Sequence, residues 1–309
     1  MILLAVAVLV ASACLWAALA ARRIERDTTA RLRTGVDGIV PGAAPIALPM
    51  SGGHRAVLLL HGFGDTPQAL TSLAHDLHQR GYAVAVPLLA GHGRTLRAFG
   101  TSNAAQWIAD ARAALEGLRA RYEHVGVVGL SMGGALATLL AADDDQLSAL
   151  VLLAPYLEAR PVVRTLARVH RVVGIIAPYI SSGVGAHSIR DPVARAQALA
   201  YGAATPRLIA ELVALADRAR RALPQVTAPT LLVQSREDNR LTPASAERAV
   251  AALGARVKRL EWVSGCGHVL TVDYGHAHVS ALVVEWLARH PERQASVYAA
   301  EPPRQSSRQ

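Results

Sequence analysis

The stretch Val127-Val128-Gly129-Leu130-Ser131-Met132-Gly133-Gly134 sets one serine between glycines placed two residues before and two after it. A serine hydroxyl is a poor nucleophile at neutral pH. It needs a base within hydrogen-bond reach, and the base needs a third group to fix its tautomer. The G-x-S-x-G spacing supplies the nucleophile. An apolar run ahead of Ser131 reads as the end of a buried strand, and Ala135 to Ala142 reads as a helix. A strand reversing into a helix at one residue strains that residue and leaves no room for a Cβ two positions either side. The N–H groups at the helix start then offer partial positive charge to a developing oxyanion.

The base and acid must follow the serine in this arrangement, acid first. Asp238 and His268 satisfy that order. Each lies in a loop directly after a predicted parallel strand, Asp238 after Thr230–Gln234 and His268 after Val257–Trp262, and such loops converge at one edge of an open sheet. Glu237 is the neighbouring alternative for the acid, with Asp238 preferred. His276 and His278 lie too close to the last helix, and His92 precedes the serine. The loop His61-Gly62-Phe63-Gly64 ends another apolar run, Ala56–Leu60. It can present the Phe63 N–H as an oxyanion donor paired with that of Met132. His61, held in a strand-end turn, reads as structural.

Strand and helix patterns alternate from about residue 56. They imply right-handed crossovers and a mostly parallel sheet covered by helices, an α/β fold. Asp65-Thr66-Pro67 opens a helix that stops near Gly81, Ala83–Val86 is a strand, and the Leu89–Arg94 loop is expected to wall the site. Thr101 or Ser102 is expected to cap a helix running to Tyr122. The rhythm breaks between about residues 156 and 226, which read as an inserted helical cap without a convincing strand. Its apolar Val172–Ile176 is expected either to line an acyl pocket or to form core of the cap. The cap holds ten arginines against four acids, a net +6, which reads as a solvated basic surface or, alternatively, as a face lying near an anionic membrane surface.

The whole chain carries +9, with Lys258 its single lysine, and shows no nucleic-acid signature. No metal or cofactor motif is present either. Cys14 and Cys266 are too far apart in chain and context to form an expected disulfide. Residues 2 to 21 have no charged side chain and are followed by Arg22 and Arg23. Residues 1–21 are therefore expected to be a membrane anchor with its basic flank, and the catalytic domain, on the cytoplasmic side. Cleavage at Ala18-Leu19-Ala20 would instead give a secreted or periplasmic protein. A juxtamembrane linker is expected over 22–49, the folded unit over 50–290, and a disordered tail over 291–309.

From about residue 54 to 290 the chain resembles the α/β-hydrolase family, and within it bacterial carboxylesterases and monoacylglycerol lipases. The resemblance rests on Leu60-His61-Gly62-Phe63, Gly91-His92-Gly93, the serine elbow, the Asp238 turn followed by Pro243 and Ser245, and Gly267-His268-Val269-Leu270-Thr271-Val272-Asp273. It implies an eight-stranded sheet, acylation of Ser131, proton transfer by His268 and orientation by Asp238. The expected partner is an ester or lipid-like substrate, hydrolysed without a cofactor. A thioesterase or an amidase or peptidase with the same triad is the alternative, as is a non-catalytic membrane-tethered binding module.

Overall fold

The computed structural model describes residues 2–181 and 188–292. The expected tail therefore lies outside the described residues from 293 onward.

Four apolar runs become the buried centre of one sheet: β2 (Arg55–Leu60), β4 (His124–Leu130), β5 (Leu150–Leu153) and β8 (Thr230–Ser235). Continuous runs without alternation form strands of this kind because helices cover both faces. Val57 to Leu60 and Leu150 to Leu153 are all 0 % exposed. The sheet has seven strands in the order β1-β3-β2-β4-β5-β8-β9, adding β1 (Ile46–Leu48), β3 (Ala83–Val86) and β9 (Lys258–Val263). Only the edge strand β1 runs antiparallel to its neighbour. The sheet is thus one strand short of the eight expected. Residues 22–31, expected as the start of a linker, are instead the end of helix α1 (Ile2–Arg31).

The helices α2 (Thr71–Gln79), α3 (Leu96–Thr101), α4 (Ala104–Arg119) and α5 (Met132–Asp143) follow in the first half. Thr101 and Ser102 close α3, and the N-cap of α4 is Asn103. Its side chain accepts from the Gln106 N–H at 3.0 Å while Gln106 accepts from the Asn103 N–H at 3.1 Å. That reciprocal box satisfies two of the N–H groups a helix start leaves open, which a lone Thr or Ser would not.

Between β5 and β8 come α6 (Pro161–Arg168), α7 (His170–Ile176), β6 (Ile180–Ser181), α8 (Pro192–Gln197), β7 (Ala203–Ala204) and α9 (Pro206–Ala222). β6 and β7 pair as a short antiparallel ribbon that the apolar pattern does not reveal. α9 anchors this insertion, burying Leu208, Leu212, Leu215 and Ala216 against α5 and α6. The carboxy-terminal helices α10 (Pro243–Ala252) and α11 (His276–Arg289) complete the covering layers.

α1 does not stand apart from this body. Arg31 donates to the carbonyls of Ala200 at 2.6 Å, Tyr201 at 3.0 Å and Ala198 at 3.3 Å. Among the described residues no helix is long and apolar enough to cross a membrane.

Candidate active site

Ser131 closes β4 and opens α5 with φ 55° and ψ −113°, the left-handed strain its position foretells. The flanking glycines are required by contact. A Cβ on Gly129 would lie 2.2 Å from the Gly133 carbonyl oxygen, and one on Gly133 would lie 2.0 Å from that of Leu60. Two backbone bonds clamp the turn: Ser131 N–H to Leu153 O and Tyr156 N–H to Ser131 O, each 2.9 Å. The Ser131 hydroxyl is thereby fixed at the carboxyl edge of the sheet.

His268 and Asp238 reach the same edge. His268 Nε2 stands 2.8 Å from Ser131 Oγ, and His268 Nδ1 stands 2.8 Å from Asp238 Oδ2. Asp238 is held in turn. Its Oδ1 accepts the N–H groups of Arg240 at 2.7 Å and Leu241 at 3.0 Å, and Gln234 Nε2 donates to Oδ2 at 2.7 Å. Burial works against charge on Asp238, yet the neighbouring imidazole and these N–H donors outweigh it and hold the carboxyl below its ordinary value. A carboxylate so held keeps a proton on Nδ1 and leaves Nε2 to accept from the serine. Glu237 turns away, accepting from the Gly265 N–H at 3.2 Å.

The loop carrying His268 is fixed by Asp273, a residue whose role the sequence did not disclose beyond its place in the motif. Its carboxylate accepts the N–H groups of Gly267 at 2.6 Å and of Arg190, Asp191 and Tyr274 at 2.8 Å each. One side chain thus ties the histidine loop to the insertion. Gln234 was equally silent, its one signal being an amide at the end of an apolar strand.

On the facing side, a Cβ on Gly62 would lie 3.5 Å from Ser131 Cβ, so the Gly62–Phe63 backbone passes beside the nucleophile. The Phe63 ring is held by Phe99 at 5.1 Å and Trp107 at 5.9 Å between centroids. Met132 is the first residue of α5, where N–H groups have no partner within the helix.

Both histidines in this region are structural. His61 Nε2 accepts the Leu89 N–H at 3.2 Å and Nδ1 donates to Gly62 O at 3.0 Å, and burial pushes its pKa down to about 4. His92 packs in a T-shaped contact on His61 at 4.9 Å, and burial drives its pKa well below the usual histidine value. Its loop therefore sits behind Phe63 and does not wall the site as expected. Aromatic packing wins there because His92 and Phe99 are fully buried.

A cavity of about 420 Å³ opens over Ser131 and His268. Val163, Ile189, Ile209 and Leu212 supply its apolar wall, and Asp65, Thr71, Ser72 and His276 are among its polar residues. Val172–Ile176 does not line it. Val172 is 63 % and Ile175 84 % exposed, because α7 turns those side chains outward.

Residues 53–275 match the family model described as "Serine aminopeptidase, S33" (Hydrolase_4). The chain is 26% identical over 252 residues to a thermostable monoacylglycerol lipase of Bacillus sp. (strain H-257), covering 82% of this chain and 97% of that one. It is 25% identical over 251 residues to a carboxylesterase of Bacillus subtilis (strain 168), covering 79% and 97%. A solved structure from the metagenome-derived lipolytic enzymes LipS and LipT superposes with a TM-score of 0.73 at 29% identity, covering 82% of this chain and 100% of the other.

Proposed function

Because the chain belongs to the Hydrolase_4 (serine aminopeptidase, S33) family of α/β-hydrolases, we propose that it hydrolyses carboxylic esters of the monoacylglycerol or simple ester kind through Ser131, His268 and Asp238. It is a serine esterase or lipase of that fold. The observation that carries the serine-hydrolase chemistry is the continuous chain of contacts from Ser131 Oγ through His268 to Asp238, 2.8 Å at each step, and similarity to a monoacylglycerol lipase and a carboxylesterase supports the choice of esters.

In this reading His268 Nε2 takes the Ser131 proton as Oγ attacks the ester carbonyl carbon, and Asp238 stabilises the imidazolium. The tetrahedral oxyanion rests on the N–H groups of Phe63 and Met132. Collapse breaks the carbon–alkoxide bond, and His268 returns the proton to the leaving alcohol. Water, deprotonated by the same nitrogen, then attacks the acyl-Ser131 carbonyl carbon; the bond from that carbon to Oγ breaks, His268 returns the proton to Oγ, and the acid is released. The acyl chain takes the wall of Val163, Ile189, Ile209 and Leu212.

The test is labelling by a fluorophosphonate probe, lost in Ser131→Ala, followed by kcat/KM on p-nitrophenyl esters, monoacylglycerols, thioesters and aminoacyl arylamides. Absence of labelling in the folded protein would support the binding-module alternative. Faster turnover of thioesters or arylamides than of every ester would overturn the ester assignment.

The folded unit in this reading spans about 50–290, with residues 156–226 as its cap. Membrane attachment through residues 2–21, with the catalytic unit cytoplasmic, belongs to the same proposal. Its support is the uncharged run ending at Arg22-Arg23, together with exposed Val162, Val172 and Ile175 on the basic cap. Recovery of full-length protein in the supernatant after lysis and ultracentrifugation would refute it.

A further inference from the structure

Asp65 is a carboxyl beside the nucleophile that the serine chemistry does not use. It is 8 % exposed and lies on the cavity wall with Ser131 and His268. Its N–H reaches back to Gly62 O at 3.3 Å, and Oδ1 accepts the Thr66 N–H at 2.9 Å. Only the hydrogen of Gly62 separates it from the elbow: a Cβ there would stand 3.5 Å from Ser131 Cβ and 3.9 Å from Asp65 Cβ. A buried carboxyl in such a place needs hydrogen-bond donors, and Thr66 occupies one of its two oxygens.

The direction of proton transfer decides which part of an ester meets Asp65. The leaving alcohol receives its proton from His268 Nε2, so it departs on the histidine side of Ser131. Asp65 lines the cavity together with Ser131 and His268, so an alcohol leaving toward His268 stays within the cavity that holds the Asp65 carboxyl. Thr271 Oγ1, three residues after His268, donates to Ala69 O at 2.6 Å, tying the histidine loop to the segment that follows Asp65. Thr71, Ser72 and His276 are further polar residues of the same cavity, beside its aliphatic residues Val163, Ile189, Ile209 and Leu212.

We propose that Asp65 selects the alcohol: its carboxylate accepts a hydrogen bond from a free hydroxyl of the leaving group, so that esters of glycerol-like polyols are cleaved in preference to esters of simple alkanols. This rests on the ester-hydrolase reading above. A hydrogen bond to a charged acceptor in a desolvated pocket discriminates strongly against a ligand lacking the donor. The acceptor is ionisable near neutrality. Burial pushes the Asp65 pKa up to about 6, opposed by the Thr66 N–H and by His268. The other charged or titratable groups on the cavity are His268, His276, Arg240 and Tyr156. Preference for the polyol ester therefore grows as pH rises through about 6 and Asp65 ionises.

The experiment compares kcat/KM for a 1-monoacylglycerol and for the methyl ester of the same fatty acid, in the full chain, between pH 5 and 7.5. The glyceryl-to-methyl ratio cancels any pH dependence that the two hydrolyses share. It is expected to rise with pH in the unaltered protein. It is expected to fall about ten- to hundredfold in Asp65→Ala at pH 7.5 and to lose its pH dependence in Asp65→Asn. Asp65→Asn keeps the shape and an acceptor for Thr66, so it decides the matter if Asp65→Ala does not fold. A ratio that both variants leave unchanged, or parallel loss on both esters, would overturn the assignment. If the unaltered protein hydrolyses neither ester and Ser131 takes no fluorophosphonate, the ester-hydrolase reading fails and this one with it.

Discussion

Replacing Gly133 by alanine tests the elbow at its tightest point. The added Cβ would lie 2.0 Å from Leu60 O, 2.5 Å from Leu60 C and 2.8 Å from His61 O. Carbon and oxygen ordinarily approach no closer than about 3.3 Å, so the start of α5 and the end of β2 must part by roughly 1 Å. Both are buried backbone, with no flexible side chain to yield. Overpacking costs up to about 3 kcal/mol, which lowers Tm on the order of 6–12 °C in a domain of this size. Catalysis should suffer separately. The displaced parts carry the Met132 and Phe63 N–H groups, and a misplacement near 1 Å costs roughly 10²-fold in rate. Gly117→Ala is the matched control, at an exposed position in the last turn of α4 with nothing within 4 Å of a new Cβ. There the substitution should stabilise by about 1 kcal/mol, since glycine is the poorer helix former. Thermal melts and ester hydrolysis measured side by side decide it. If Gly133→Ala matches Gly117→Ala in both Tm and kcat, the close approach does not govern the elbow.

Asp238→Asn should lower kcat by roughly 10⁴-fold, because an amide no longer fixes the histidine tautomer, while Glu237→Gln should cost less than about tenfold. Equal losses in steady-state assays would reassign the acid. Asp65 should also tune stability with pH. Its folded pKa of about 6 lies above the ordinary 3.8, so between those values the folded state binds more protons and stability falls as pH rises, by about 3 kcal/mol at pH 7. His61, lowered to about 4 from 6.5, acts in the opposite sense over pH 4 to 6.5. Asp65→Asn should therefore gain more stability over the unaltered protein at pH 7.5 than at pH 4 in urea melts, and an equal difference at both would refute the burial argument. Arg31→Ala removes three contacts to the carbonyls of residues 198–201. Limited proteolysis should then cut the end of α1 faster, and an unchanged rate would show that these bonds do not hold it.

The elbow was legible in the sequence because its constraint is local. A serine at the strand–helix junction needs positive φ, and the residues two either side collide if they carry a Cβ, as the contacts of Gly129 and Gly133 bear out. Continuous apolar runs likewise announced β2, β4 and β8, since burial on both faces leaves no polar alternation to misread. β8 in turn brought the loop of Asp238 to one edge, where β9 delivers that of His268. Tertiary structure alone decided what those loops and their neighbours touch. It set Asp238 against His268 and turned Glu237 toward Gly265. It sent Val172 and Ile175 to solvent, put His92 behind Phe63, and left Asp65 beside the nucleophile. Each of these depends on residues distant in the chain, and periodicity and turn chemistry report only on neighbours within a few positions.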